Sequence, residues 1–198
     1  EMHHALEVSN MAVLISKELG KDEKFCDDIA VAGVLHDIGK LRVNRYVYSD
    51  ESDDTLVVEQ MKYVRMHSAY SRDILRDENY PENIIEAVYH HHENYDGSGY
   101  PDGLKGTDIP EMSRILRTCD VFSALITNRG YRKAFDKKTA MAIMIDEVED
   151  YDMEVFLAFQ RVFHDDKFPE IRNLQDMASE IQMENLKVFE EEALKGNY

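Results

Sequence analysis

An all-α fold is what this sequence predicts, and three observations carry it. Apolar residues recur at steps of three and four along most of the chain, the spacing that lines one face of a helix. Residue types that sustain helices dominate: there are 10 Met and many Ala, Leu, Glu and Lys, against 9 Gly and 4 Pro. No stretch alternates apolar and polar residues for long enough to compete as a strand.

Val8, Met11, Ile15 and Leu19 predict a first helix and Ile29, Ala32 and Leu35 a second, with Gly20 and Gly39 ending them. Residues 49–55 are polar and acidic and read as a solvated loop. Met61, Val64, His67, Ile74 and Leu75 mark a third helix, and Pro81 with Glu82 opens a fourth through Ile84, Ile85, Val88 and His92. Residues 96–110 then hold four glycines and two prolines, a loop of the length that usually has a function. Met112, Ile115, Cys119, Phe122 and Ile126 predict a helix over residues 111–126, and two more are expected over 139–149 and 153–163. Ile171, Leu174, Ala178, Ile181, Asn185 and Val188 form a heptad-like stripe that predicts a long extra C-terminal helix. Its polar Asn185 would set register in a homodimer.

At 198 residues and 43% apolar composition, the chain is sized for one compact domain with a core. Its net charge of −17 argues against a nucleic-acid polymer as partner, because neutralising a phosphate backbone needs a basic face. A small anionic ligand stays compatible with it. Cys26 and Cys119 lack CxxC spacing, which fits a reducing, cytoplasmic setting. No signal peptide is visible and no apolar run reaches about 18 residues, so this segment is expected neither to insert in a membrane nor to direct its own export. The first residues already read as helix without a start signal, so an upstream regulatory domain is expected.

Histidine and aspartate gather where side chains should face inward. His36 and Asp37 close one apolar helix, His67 lies on the apolar face of the next, and His91 with His92 follows Val88. A lone buried histidine is usually a hydrogen-bonded core residue, but a set of five such positions points to a metal. Asp120, within Thr118-Cys119-Asp120-Val121-Phe122, would be costly to bury without a cation. Neighbours on a helix diverge by about 100°, so neither His36 with Asp37 nor His91 with His92 is expected to close on one ion. Two or more ions would use them better. Mixed imidazole and carboxylate donors suit Fe, Mn or Zn, and an aspartate can bridge two ions. A second HD dipeptide, His164-Asp165, leads into Asp166 and Lys167 and reads as surface, so the dipeptide alone carries little.

His36-Asp37-Ile38-Gly39-Lys40 followed by His91-His92-Glu93-Asn94-Tyr95-Asp96-Gly97-Ser98-Gly99-Tyr100-Pro101 resembles the signature of HD-GYP phosphodiesterases. The resemblance runs from about His4 to Phe163 and implies an HD-domain helical bundle over residues 1–164, with 165–198 as a C-terminal helical extension. It implies metal ligands at His4, His36, Asp37, His67, His91, His92 and Asp120, binding two or three divalent ions. Fe or Mn is expected, with Zn, Mg or Ni acquired on purification as alternatives. The glutamate that completes a third metal in some members would fall just upstream of Glu1, which itself reaches the site only in a shifted register. His3 is expected to be a bystander.

The resemblance further implies catalytic roles for His36, Asp37 and Lys40, the last as a cation beside the reacting phosphate. Substrate contacts are implied at Tyr100, Gly99, Arg129 and Arg132. Residues 128–138 set five cations against one carboxylate, and an arginine fork can take two phosphate oxygens at once. The implied reaction is hydrolysis of cyclic di-GMP to linear pGpG and onward to GMP. The alternatives are hydrolysis of another cyclic dinucleotide or nucleotide and a catalytically weak receptor. Ser123 stands where many relatives carry an acidic residue, which predicts an altered contact near the metals, and residues 41–60 depart from the usual family sequence.

Overall fold

In the computed structural model the described residues are 2–47, 64–128 and 133–164, with side chains up to Val43 in the first segment. Glu1, Arg129, Arg132, the acidic loop and the whole predicted C-terminal helix lie outside the described residues.

The described residues form eight α-helices and no strand. They are α1 (Met2–Glu18), α2 (Glu23–Leu35), α3 (Lys40–Val47), α4 (His67–Asp77), α5 (Glu82–Tyr89), α6 (Glu111–Ile126), α7 (Lys137–Asp146) and α8 (Met153–His164). Two 3-10 turns, Gly106–Asp108 and Val148–Asp150, sit in the connections, and the second takes the tail of the helix expected to run to residue 149. The helix ends carry ordinary signals. Gly20 stops α1 with φ +72, and Asp22 caps α2 by accepting a hydrogen bond from the Phe25 amide at 2.8 Å. Asp136 caps α7 in the same way, accepting from the Lys138 and Thr139 amides.

Helix α6 runs through the middle of the bundle, with Ile115, Leu116, Cys119 and Phe122 wholly buried. It packs on α1, α5, α7 and α8, while α1 also lies against α2 and α5 packs on α2 and α4. Phe122 meets Phe159 and Phe163 of α8 edge to face, at centroid distances of 5.0 and 5.6 Å. Apolar burial of Val8, Met11 and Ile15 from α1 and of Ile85 and Val88 from α5 continues the same core. His164 is exposed, as its polar surroundings predict.

Helix α3 was not expected from the sequence, and among the boundaries that differ from the sequence reading two matter for the site. Helix α2 ends at Leu35 and α5 at Tyr89, so His36, Asp37, His91 and His92 all lie in turns rather than on helices. Hydrogen bonds tightened to three residues mark these turns, from the Lys40 amide to Asp37 O (2.9 Å) and from the Glu93 amide to His90 O (3.0 Å). Gly39 works by close approach rather than by a left-handed φ. A Cβ there would stand 2.1 Å from His67 O and 2.6 Å from the Ser71 amide. Its amide donates to Ser71 Oγ at 2.8 Å, and that hydroxyl donates to His36 O at 3.0 Å, which pins the turn to the start of α4.

Gly39→Ala is therefore expected to force the turn and α4 apart. A loss of about 1–3 kcal/mol should appear in urea denaturation of the metal-free protein, and a neutral result would contradict this packing.

Candidate metal centre

Five elements deliver side chains to one end of the bundle. His4 comes from α1, His36 and Asp37 from the turn after α2, His67 from the first position of α4, His91 and His92 from the turn after α5, and Asp120 from α6. Their donor atoms fall into two groups, Asp37 with His67, His91 and His92, and His4 with His36 and Asp120, each within 4.8 Å. All seven side chains named from the sequence are thus brought together. The helical geometry behind the expectation that His91 and His92 would not easily close on one ion is corrected. Freed from helical geometry, their rings lie 4.0 Å apart and share a group. His3, one residue before His4, is exposed.

Backbone carbonyls set the orientation of three imidazoles. The Nδ1 atoms of His36, His67 and His91 lie 2.8, 2.5 and 2.6 Å from the carbonyl oxygens of Gly33, Val64 and Val88. A carbonyl only accepts, so each Nδ1 carries the proton and each neutral ring turns an Nε2 lone pair into the site. His4 directs its Nδ1 to Ser123 Oγ at 2.8 Å and its Nε2 to Asp120 Oδ1 at 3.1 Å. Asp37 stands between the groups. Its Oδ1 is 3.3 Å from His67 Nε2, and its Oδ2 is 3.3 Å from His36 Nε2 and 3.9 Å from His4 Nε2.

These contacts test whether divalent cations suit the site. His67 Nε2 faces His91 Nε2 at 3.3 Å and His92 Nε2 at 3.1 Å. With the Nδ1 protons of His67 and His91 committed to carbonyls, neutral rings would aim lone pair at lone pair. Protonation is no remedy, because burial pushes His67 down and His91 far down from the ordinary range. Burial likewise takes His92 to about 3, despite the attraction of Asp120. His36 Nε2 and Asp37 Oδ1 are buried without a well-formed hydrogen bond. Cations held one in each donor group would satisfy all of these atoms, and the imidazole and carboxylate donor set fits divalent transition metals.

The remaining electrostatics agree. Burial opposes the charge of Asp37 and Asp120, yet both carboxyls are held below the usual range, Asp37 by His36 and Lys40, and Asp120 by His4 and His36. His36 alone among the shifted imidazoles moves up, because Asp37 and Asp120 outweigh its burial. Lys40, half-buried, holds its ammonium 2.5 Å from Asp37 Oδ2 at the edge of the site.

The glycine-rich loop forms one wall. Glu93, with its side chain fully buried, accepts from the Asp102 and Gly103 amides at 2.7 and 3.1 Å, and the Tyr100 amide returns to His92 O at 3.2 Å. Gly99 makes its close approach to the chain itself, since a Cβ there would stand 2.2 Å from the Asn94 amide and 2.5 Å from His92 O. Tyr100 stacks on His92 at 4.7 Å, and burial raises its phenol, which keeps the hydroxyl a donor. Two cations here escaped the sequence reading. The Arg65 guanidinium lies 5.1 Å over the Tyr100 ring, and Arg117 donates to Asn94 Oδ1 at 2.9 Å. Position was the only available signal, since Arg65 is two residues before His67 and Arg117 one turn before Asp120.

A family model described as HD domain matches residues 2–155. The chain belongs to the HD domain family. Its HD domain is 32% identical to the 3'3'-cGAMP-specific phosphodiesterase 3 of Vibrio cholerae, over 81% of the chain and 35% of that protein. It is 34% identical to the cyclic di-GMP phosphodiesterase response regulator RpfG of Xanthomonas campestris, over 69% of the chain and 36% of that protein. The chain therefore spans about a third of the length of these curated relatives. Among solved structures its HD domain resembles Bd1817, an HDG"Y"P protein from Bdellovibrio bacteriovorus, with a TM-score of 0.65 at 21% identity over 83% of the chain and 52% of the other. It also resembles a cyclic GMP-AMP specific phosphodiesterase of V. cholerae, with a TM-score of 0.66 at 16% identity over 88% and 47%. At these identities the structural likeness concerns the fold, and the HD-GYP resemblance read from the two motifs is borne out.

Acid should unfold the metal-free protein early. Between the ordinary histidine value near 6.5 and the depressed folded value of about 3 for His92, the unfolded chain takes up protons that the folded chain refuses. His67 and His91 act in the same sense, and the depressed Asp37 and Asp120 add to the loss at lower pH. His36 acts oppositely, its contribution fading as pH rises. Thermal melts of chelator-treated protein should show Tm falling steadily from pH 7 to pH 4, and a flat profile would contradict the burial of neutral imidazoles.

Proposed function

We propose that this HD domain is a metal-dependent phosphodiesterase that hydrolyses a cyclic dinucleotide, with cyclic di-GMP as the first candidate and linear pGpG, then GMP, as products. One observation carries the reading: Asp37 presents one oxygen toward each of two adjoining ligand groups, as a carboxylate bridging two ions would. The names of the V. cholerae and X. campestris relatives support the substrate class. Two ions, Fe or Mn, are proposed for the two groups, and a third would call on Glu1.

When bound, a pair of divalent ions acidifies water and neutralises charge on a phosphate oxygen. The chain's own residues do the rest. His36 and Asp37 orient the centre, and Lys40, now paired with Asp37, is placed to move its charge toward a phosphate and stabilise the oxygen leaving phosphorus. Tyr100 offers a ring for packing and a protonated hydroxyl for an anion, and Arg65 closes the same wall. Arg129 and Arg132 are proposed as further phosphate contacts. Residues 1–164 would be the catalytic unit, acting in the cytoplasm. Among the described residues no helix is long and apolar enough to cross a membrane.

The test is anaerobic metal loading, metal analysis, and chromatography of cyclic di-GMP and 3'3'-cGAMP incubated side by side. Wild type should yield linear product, and the combined His36→Ala and Asp37→Ala variant none above the metal-free background. Tight nucleotide binding by metal-loaded wild type without product would favour the receptor reading instead. Arg65→Ala should raise KM several-fold with kcat nearly unchanged, the scale of a lost guanidinium–ring contact. A kcat effect alone would remove Arg65 from substrate binding.

A further inference from the structure

His36, His67 and His91 obtain their tautomer from a carbonyl three residues earlier, whereas His4 relies on side chains. Ser123 Oγ, fully buried, lies 2.8 Å from His4 Nδ1 and 2.5 Å from Glu7 Oε2. A hydroxyl has one proton, and a carboxylate only accepts. The Ser123 proton therefore goes to Glu7, which leaves its oxygen to accept Nδ1–H from His4. With Nδ1 carrying the proton, the Nε2 that lies 3.1 Å from Asp120 offers the lone pair that an ion held by this group would take, in place of the direct His4–Asp120 contact.

The sequence arranges this as two matched pairs. Glu7 lies three residues after His4 on α1, and Ser123 three residues after Asp120 on α6, so each ligand has its support one helical turn away on the same face. Where α1 packs on α6, the ligands meet toward the site and the supports meet behind them. Glu7, itself buried, is otherwise an unusual residue for the interior face of α1, whose neighbours there are Val8 and Met11.

We propose that Glu7 and Ser123 are positioning residues that lock His4 in its metal-presenting tautomer and so set the affinity of the His4–His36–Asp120 group for a divalent ion. The inference rests on the metal-centre reading and adds which side chains tune one of its two positions. It also gives Ser123 a role, since the carboxylate absent at that position is supplied from the facing helix.

The experiment is anaerobic titration of the metal-free chain with Co(II), followed by calorimetry and by the cobalt absorption bands. Wild type should show two phases, one abolished by His4→Ala and the other by His67→Ala. Ser123→Ala and Glu7→Gln should each weaken the His4-dependent phase by about 10- to 100-fold, shift its cobalt bands, and leave the His67-dependent phase unchanged. Variants that retain wild-type affinity in both phases, or lose both equally, overturn the proposal while leaving the metal centre standing. Wild type that takes up no cobalt overturns the metal-centre reading and this inference with it. Glu7→Gln is isosteric, so it decides the matter alone if Ser123→Ala does not fold.

Discussion

Five imidazoles and two carboxylates converge at one end of this bundle with their lone pairs aimed inward, and that convergence sets terms for everything around it. In a buried setting such donors repel one another, and protonating His67, His91 and His92 is opposed by the same burial that brings them together. Cations would resolve the conflict, and their binding would then be coupled to the stability of the fold. The helices supply rigidity, and the tight turns after α2 and α5 supply the donor directions that helices forbid.

Support behind the donors is graded. Three histidines lean on backbone carbonyls, whose geometry follows directly from the end of a helix or its first turn. His4 projects from α1 and takes its orientation from α6, through a hydroxyl and a carboxylate. That difference makes the two ligand groups unequal in the number of side chains on which they depend.

Positive charge gathers beside the donor cluster within an acidic protein of net charge −17. Lys40, Arg65 and Arg117 stand at the site, two of them tied to the aromatic and amide groups of the glycine-rich loop or its ring. The loop itself is held by the buried Glu93, so the wall that carries Tyr100 is braced by backbone amides rather than by apolar packing alone.

Much of this was legible in the sequence. Spacing of apolar residues marked seven of the eight described helices, missing α3 but recovering α6 at both ends, and the family resemblance named all seven donor residues that the structure brings together. Helix periodicity misled at two places, because His36–Asp37 and His91–His92 continue an apolar pattern while close contacts at Gly39 and at Gly99 bend the backbone into turns. The sharing of Asp37 between two groups, the stacking of Arg65 over Tyr100 and the pairing of Glu7 with Ser123 join residues far apart in the chain. By itself the sequence determined the helical class and the donor inventory, since both are local in pattern or composition. Only the tertiary structure decided which donors share a position and which residues orient them, because those relations depend on distances across helix contacts that no local spacing encodes.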